Sequence, residues 1–173
     1  YIPVIGWQID PFGHSSFQAS AFADMCFIGE FFARIDYGDQ AKREKDQTLE
    51  MIWRGSVSRP LESDIFTHKL YNHYSPLPGF FWELQADGLP RDPPIIDDGS
   101  ESDNHEERVK LYIEEALDQA KHYRTNHILT LMGEDFTYNT GSPWYENMDK
   151  LMQYANKDDR IRIFYSTPSD YTR

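Results

Sequence analysis

Several common features are scarce or missing in this sequence. It has one cysteine, Cys26, so no disulfide can close inside the chain and the cysteine count points to no oxidising compartment. No Asn-X-Ser/Thr triplet occurs, and no apolar run approaches the roughly 18 residues that a membrane-spanning helix needs. Positive charge is scarce: 17 Lys and Arg stand against 29 Asp and Glu, for a net charge of −12. Nucleic acid and anionic membrane surfaces both demand a basic face, so neither is an expected partner. An uncharged substrate such as a sugar is compatible with this acidity, and so is an acidic compartment. Neither an initiating Met nor a signal peptide opens the chain. Tyr1-Ile2-Pro3-Val4-Ile5 already reads as a buried strand, which implies a piece of a longer protein.

Apolar side chains, by contrast, are plentiful. The 173 residues are 39% hydrophobic and 15% aromatic, enough for one domain with a real core. Residues 1–9 read as a strand ending at Asp10-Pro11-Phe12-Gly13. Ser15-Ser16-Phe17-Gln18 is a candidate capping box for a helix whose Phe17, Ala21, Met25 and Ile28 share a face, with Gly29 as its stop. Phe31–Ile35 reads as the next strand, Asp39–Gln47 as a solvated helix and Leu49–Trp53 as a further strand. Residues 56–100 hold Pro60, Pro76, Pro78, Pro90, Pro93 and Pro94 with aromatics between them, which predicts a long ordered loop region and not a linker.

The second half alternates. Val109, Tyr112, Ile113, Ala116, Leu117 and Ala120 make one apolar helix face. His127–Met132 reads as a strand. Ser142-Pro143 reads as the N-cap and first residue of a helix with a Trp144, Met148, Leu151, Met152 and Ala155 stripe, and Ile161–Tyr165 as a last strand. Strands alternating with helices predict an α/β fold: a mostly parallel sheet, or an incomplete (β/α) barrel, with helices packed on it, as part of a domain.

Sites in parallel α/β folds form beyond the carboxyl ends of the strands. Asp10 closes the first strand, Arg34 is near the end of the second, and Glu134-Asp135 follows Ile128–Met132 and Gly133. Two carboxylates and a guanidinium on one rim suit a hydrolase. The structural alternative is that Asp10 only turns the chain before Pro11 and Asp135 only caps. His14 reads as a residue that orients its neighbours rather than a metal ligand. His68, His73, His105 and His122 read as solvated, Cys26 as a packing residue on a helix, and Tyr112 and Trp144 as core.

The segment Gly6-Trp7-Gln8-Ile9-Asp10-Pro11-Phe12-Gly13-His14-Ser15 resembles the nucleophile segment of class II α-mannosidases, glycoside hydrolase family 38, and most closely the lysosomal type. Further resemblances follow in family order. They are Phe31-Phe32-Ala33-Arg34-Ile35-Asp36-Tyr37, Trp53-Arg54-Gly55-Ser56, Asp64-Ile65-Phe66-Thr67, Tyr123-Arg124-Thr125-Asn126-His127, Met132-Gly133-Glu134-Asp135-Phe136-Thr137-Tyr138 and Tyr165-Ser166-Thr167-Pro168. The resemblance implies that residues 1–173 are part of a single catalytic N-terminal α/β domain. It implies a zinc-dependent retaining exo-α-mannosidase that removes terminal mannose from oligosaccharides or N-glycans through a covalent glycosyl-enzyme intermediate. It also implies a lysosomal or other acidic, secretory location.

By the same resemblance Asp10 is the nucleophile and a Zn²⁺ ligand, and Asp135 the general acid/base. Arg34 and Tyr74 hold the nucleophile, and Phe12 packs on the sugar. Glu134 reads either as a contact to a sugar hydroxyl or as a mere neighbour of the acid. Retention needs one carboxylate to attack and another to protonate the leaving oxygen. Two departures stand out. The family's His-X-Asp pair and distant His, which complete the metal site, do not occur in residues 1–173, so the remaining ligands are expected outside this chain. Phe81-Trp82-Glu83-Leu84-Gln85-Ala86 stands where the lysosomal enzymes carry a Cys-Trp-x-x-x-Cys loop. Another zinc-dependent carbohydrate hydrolase or deacetylase on a related scaffold, or an inert fragment, are the competing readings.

Overall fold

The computed structural model describes residues 2–59 and 61–173. Tyr1, read above as part of the first strand, and Pro60, read as part of the loop region, lie outside the described residues. The elements run β1 (Ile5–Gln8), α1 (Ser16–Asp24), β2 (Gly29–Phe32), α2 (Tyr37–Asp46), β3 (Glu50–Arg54), β4 (Asp64–Lys69), α3 (His105–Ala120), α4 (Ser142–Ala155) and α5 (Pro168–Thr172). The chain divides into two compact units. The first holds β1 to β4, α1 and α2, together with residues 120–129 and 166–173. The second holds residues 75–119 and 130–165.

The first unit is a four-stranded sheet of order β1-β2-β4-β3. β1, β2 and β4 are parallel, and β3 joins the edge antiparallel to β4. The fold is therefore α/β with a mostly parallel sheet and helices packed on it, as the alternation of strands and helices predicted.

Each strand alternates its side chains between two faces. Gly6, Glu30, Phe32, Ile65 and Thr67 share one face by register, and Trp7, Phe31, Phe66 and His68 share the other. α1 covers the first face. Ser15 caps this helix, its hydroxyl accepting from the Phe17 amide. Its buried residues are Ala19, Ser20 and Phe22, with Ala19 and Phe22 packed against Ile65.

The expected Phe17, Met25 and Ile28 stripe is instead exposed. Two glycines explain the difference. A Cβ on Gly6 would strike the Phe22 ring, and one on Gly55 would lie 2.4 Å from the Ser20 backbone nitrogen. These bare backbones draw the small-residue side of α1 inward.

α2 begins at Asp36, whose carboxylate accepts from the Gly38 and Asp39 amides at 2.9 and 3.1 Å. It ends at Gln47 in the left-handed region, with φ of 52°. α2 is wholly unburied, as its charge content predicted. The opposite sheet face carries a polar network. Fully buried His68 bonds Glu50 through Nδ1 at 3.0 Å, and the Tyr171 hydroxyl donates to the same carboxylate oxygen at 2.6 Å. The Tyr123 hydroxyl lies 3.4 Å from His68 Nε2. Burial pushes the His68 imidazole down, which favours its neutral form. The reading of His68 as solvated was wrong, because its strand position faces Phe31 and Tyr123.

The second unit packs α3 and α4 around aromatic rings. Phe80, Trp82 and Trp144 are fully buried, and Phe80 meets Trp82 and Tyr112 edge-on. Glu83 ties the group together, accepting from Trp144 Nε1 and from the Tyr138 amide, both at 2.7 Å. Val109, Tyr112, Ile113 and Ala116 are buried on α3, and Trp144, Met148, Leu151 and Ala155 on α4, as their spacing predicted. The α4 cap differs. Gly141 is the N-cap and Ser142 the first helical residue, its hydroxyl turned to Glu146.

Other expectations fail for identifiable reasons. β4 lies inside the stretch read as loop; its alternating Ile65 and Thr67 were the missed signal. Residues 127–132 and 161–165 form no strand. Some of their backbone groups bond side chains instead of a neighbouring strand. The Tyr171 hydroxyl donates to the His127 carbonyl, that of Tyr138 to the Met132 carbonyl, and the Asn156 amide bonds both N and O of Ile163. Cys26 lies past the end of α1 with φ of 61° and is exposed, so it neither lies in the helix nor packs. His73, His105 and His122 are half-buried, and the last two bond Asp103 and the Glu44 carbonyl.

Candidate functional site

The site in the first unit follows from strand register. Gln8 and Phe32 are partners at the carboxyl ends of parallel β1 and β2. Two residues further along each chain stand Asp10 and Arg34. They therefore emerge side by side on one edge of the sheet, where α/β folds place their ligands. Arg34 donates to Asp10 Oδ1 from Nε at 2.6 Å, and its second nitrogen lies 2.5 Å from the same oxygen. The Tyr74 hydroxyl reaches that oxygen at 3.5 Å. The hydrogen bond to Asp10 raises the Arg34 guanidinium further, which keeps it a permanent cation.

Two rings frame the ion pair. The Arg34 guanidinium carbon lies 4.4 Å from the Phe12 ring centre and 5.9 Å from that of Tyr74. Tyr74 is buried, while Phe12 is 87% exposed, so its outer face is open to a ligand. His14 holds the strand end together, with Nε2 2.6 Å from the Arg34 carbonyl and its ring 4.4 Å from that of Phe32. That is the orienting role its sequence position suggested. Tyr74 enters the site from the turn after β4, preceded by His73 at φ of 53°; no local sequence pattern foretold its reach to Asp10.

Glu134 and Asp135 lie in the second unit, in a tight loop of residues 133–138. Thr137 Oγ1 accepts from the Glu134 amide at 3.1 Å and donates to the Glu134 carbonyl at 2.8 Å. The Glu134 carboxylate accepts from Ser75 Oγ at 2.7 Å and lies 4.0 Å from Arg91. Asp135 is exposed. Phe136 and Tyr138 follow at φ of 57° and 63°, a left-handed backbone that costs about 1 kcal/mol or more per residue. The loop is held against that cost by the Tyr138 hydroxyl on the Met132 carbonyl and by the Asn139 amide on the Phe136 carbonyl.

Asp10 is the donor type that a hard or borderline cation takes. Among the described residues, no three His, Cys, Asp or Glu side chains converge on a point that could hold a metal. The described residues by themselves therefore gather no complete metal site.

A carboxylate held by a guanidinium and a phenol thus stands beside an exposed aromatic ring on the carboxyl edge of an α/β sheet. Residues 1–173 match glycosyl hydrolases family 38, N-terminal domain, and the chain belongs to that family. It is 49% identical to a probable α-mannosidase of Arabidopsis thaliana over 173 residues, 98% of this chain and 16% of that protein. It is 44% identical to an α-mannosidase of Canavalia ensiformis, over 99% of this chain and 17% of that protein. It is 39% identical to the human lysosomal α-mannosidase, over 98% of this chain and 17% of that protein. The chain spans about one-sixth of the length of these curated relatives. No helix among the described residues is long and apolar enough to cross a membrane.

Proposed function

We propose that the complete protein is a retaining exo-α-mannosidase and that residues 1–173 are part of a single catalytic domain within it. The observation that carries this reading is the Asp10 carboxylate, clamped on one oxygen by Arg34 and Tyr74 beside the exposed Phe12 ring. Family membership and relatives named α-mannosidases support the choice of sugar.

In the proposed reaction Asp10 attacks the anomeric carbon of a terminal mannose. Arg34 holds one oxygen of that carboxylate and so fixes which oxygen is free to attack. Phe12 offers a flat apolar surface to the sugar ring. Asp135 donates a proton to the departing oxygen and then takes one from water, the exchange of roles that retention requires. Glu134 holds a sugar hydroxyl. Zinc, when bound, would polarise sugar hydroxyls, and Asp10 would be one of its ligands. Its other ligands would come from the rest of the protein. Mannose-bearing oligosaccharides are the substrate class, and a lysosomal or other acidic, secretory compartment fits relatives of lysosomal name.

The test uses the full-length protein with an aryl α-mannoside, following the anomer first released by proton NMR. Turnover with release of α-mannose is expected, and Asp10→Asn should reduce it to background. Release of β-mannose, or full activity in Asp10→Asn, would overturn the assignment.

A further inference from the structure

The sheet's central strand contains a charge-bearing group that nothing in the proposed reaction uses. Glu30 is fully buried, and neither of its carboxylate oxygens has a hydrogen-bond partner among the described residues. It lies between Gly6 of β1 and Thr67 of β4, on the face covered by α1. A carboxylate in such a place cannot remain ionised without losing solvation that nothing returns, whereas a neutral carboxyl is tolerated at far lower cost.

We propose that Glu30 is a proton-operated lock on this sheet: protonated, it lets β1, β2 and α1 close, and ionised, it loosens them. The second unit and the active carboxylates are not part of the device.

Neighbouring groups on the same side do not offset a charge at Glu30. Gly6 and Gln8 of β1, Thr67 of β4, and Ala19 and Phe22 of α1 carry none, and His14, whose ring lies on Phe32 of this face, has its Nε2 at the Arg34 carbonyl. Lys69, at the end of β4, gives its ammonium to Gln40 and the Tyr71 carbonyl and senses Glu44 of α2. Arg43 of α2 is bound to Asp39 and the Thr48 carbonyl. Asp24, at the end of α1, is paired with Arg59. His68 and Glu50 lie on the other face, bonded to each other.

Burial alone pushes the Glu30 carboxyl up from 4.5 to about 7. A carboxyl that holds its proton more tightly when folded contributes stability that is complete below about pH 4.5. That contribution is lost as pH rises toward 7. The lock is therefore shut in acid and released near neutrality.

The experiment is hydrogen exchange with mass spectrometry on the full-length protein, comparing wild type with Glu30→Gln and Glu30→Leu at about pH 5 and about pH 7.5. Opening of peptides covering β1 and β2 is corrected for the intrinsic exchange rate. The ratio of wild-type to Glu30→Gln opening should grow by up to roughly 60-fold between the two pH values, because glutamine does not titrate. Both proteins share His68 and every other titrating group, so those contributions cancel in the ratio. Glu30→Leu should show the same pH-independent protection. A ratio that stays within about threefold across this range would overturn the proposal. So would loss of protection in both variants at both pH values, which would mean that the carboxyl is needed whatever its protonation.

Discussion

Replacing Arg34 separates positioning from stability. Its pair with Asp10 lies in solvent, with the two side chains 32% and 59% exposed. Exposed pairs of this kind contribute about 0–1 kcal/mol to folding. Arg34→Met should therefore shift the melting temperature of the full-length protein by no more than ~2 °C. Its effect on turnover should be larger. The substitution removes two charge-assisted contacts, at 2.5 and 2.6 Å, that fix one Asp10 oxygen and leave the other to react. A hydrogen bond to a charged group is worth about 1.5–3 kcal/mol, so kcat/KM should fall roughly 10- to 150-fold. Arg34→Lys should lie between, since an ammonium supplies the charge without the planar fork and loses the stacking on Phe12. The assay is steady-state hydrolysis of an aryl α-mannoside beside a thermal melt. Activity within twofold of wild type for Arg34→Met, or a loss explained fully by unfolding, would refute the clamp.

Asp135→Asn should slow hydrolysis of natural mannosides strongly and hydrolysis of substrates with an acidic phenol leaving group far less, read as a ratio of kcat/KM values. Equal losses on both would remove Asp135 from the acid/base role. Gly55→Ala places a methyl 2.4 Å from the Ser20 backbone nitrogen and 3.0 Å from the Ser16 carbonyl oxygen. It should destabilise by about 1–3 kcal/mol, seen as faster exchange in α1 and β3, and unchanged protection there would show that α1 moves aside freely.

What the sequence revealed depended on the range of the forces involved. Helices α3 and α4 were legible because their buried residues recur at helical spacing and their own packing decides them. Helix α1 was located but its face misread, since Phe17 and Met25 outweigh Ala19 in any apolar count. The deciding fact was a close approach of Gly55 to Ser20, about 35 residues away in sequence. The stretches 127–132 and 161–165 have strand composition, but some of their backbone groups are taken by Tyr171, Tyr138 and Asn156, which no local pattern announces. At the site, Asp10 and Arg34 were readable as strand-end residues, and Tyr74 came only from the family resemblance. Glu30 escaped notice because a single Glu between apolar neighbours resembles an edge position, and only the pairing of β2 on both sides makes it central.

The two faces of the sheet are completed at different moments in the life of the chain. The face under α1 is assembled from residues near one another in sequence, so it can close early during synthesis. The face bearing Phe31, Phe66 and His68 waits for a hydrogen bond between Tyr171 and Glu50, a separation of 121 residues. At 5–20 residues per second the ribosome needs roughly 6 to 24 s to span that interval. From the completion of β4 until Tyr171 emerges, a half-dressed sheet presents aromatic side chains to its surroundings, and any chaperone that attends this protein should find its first binding site there.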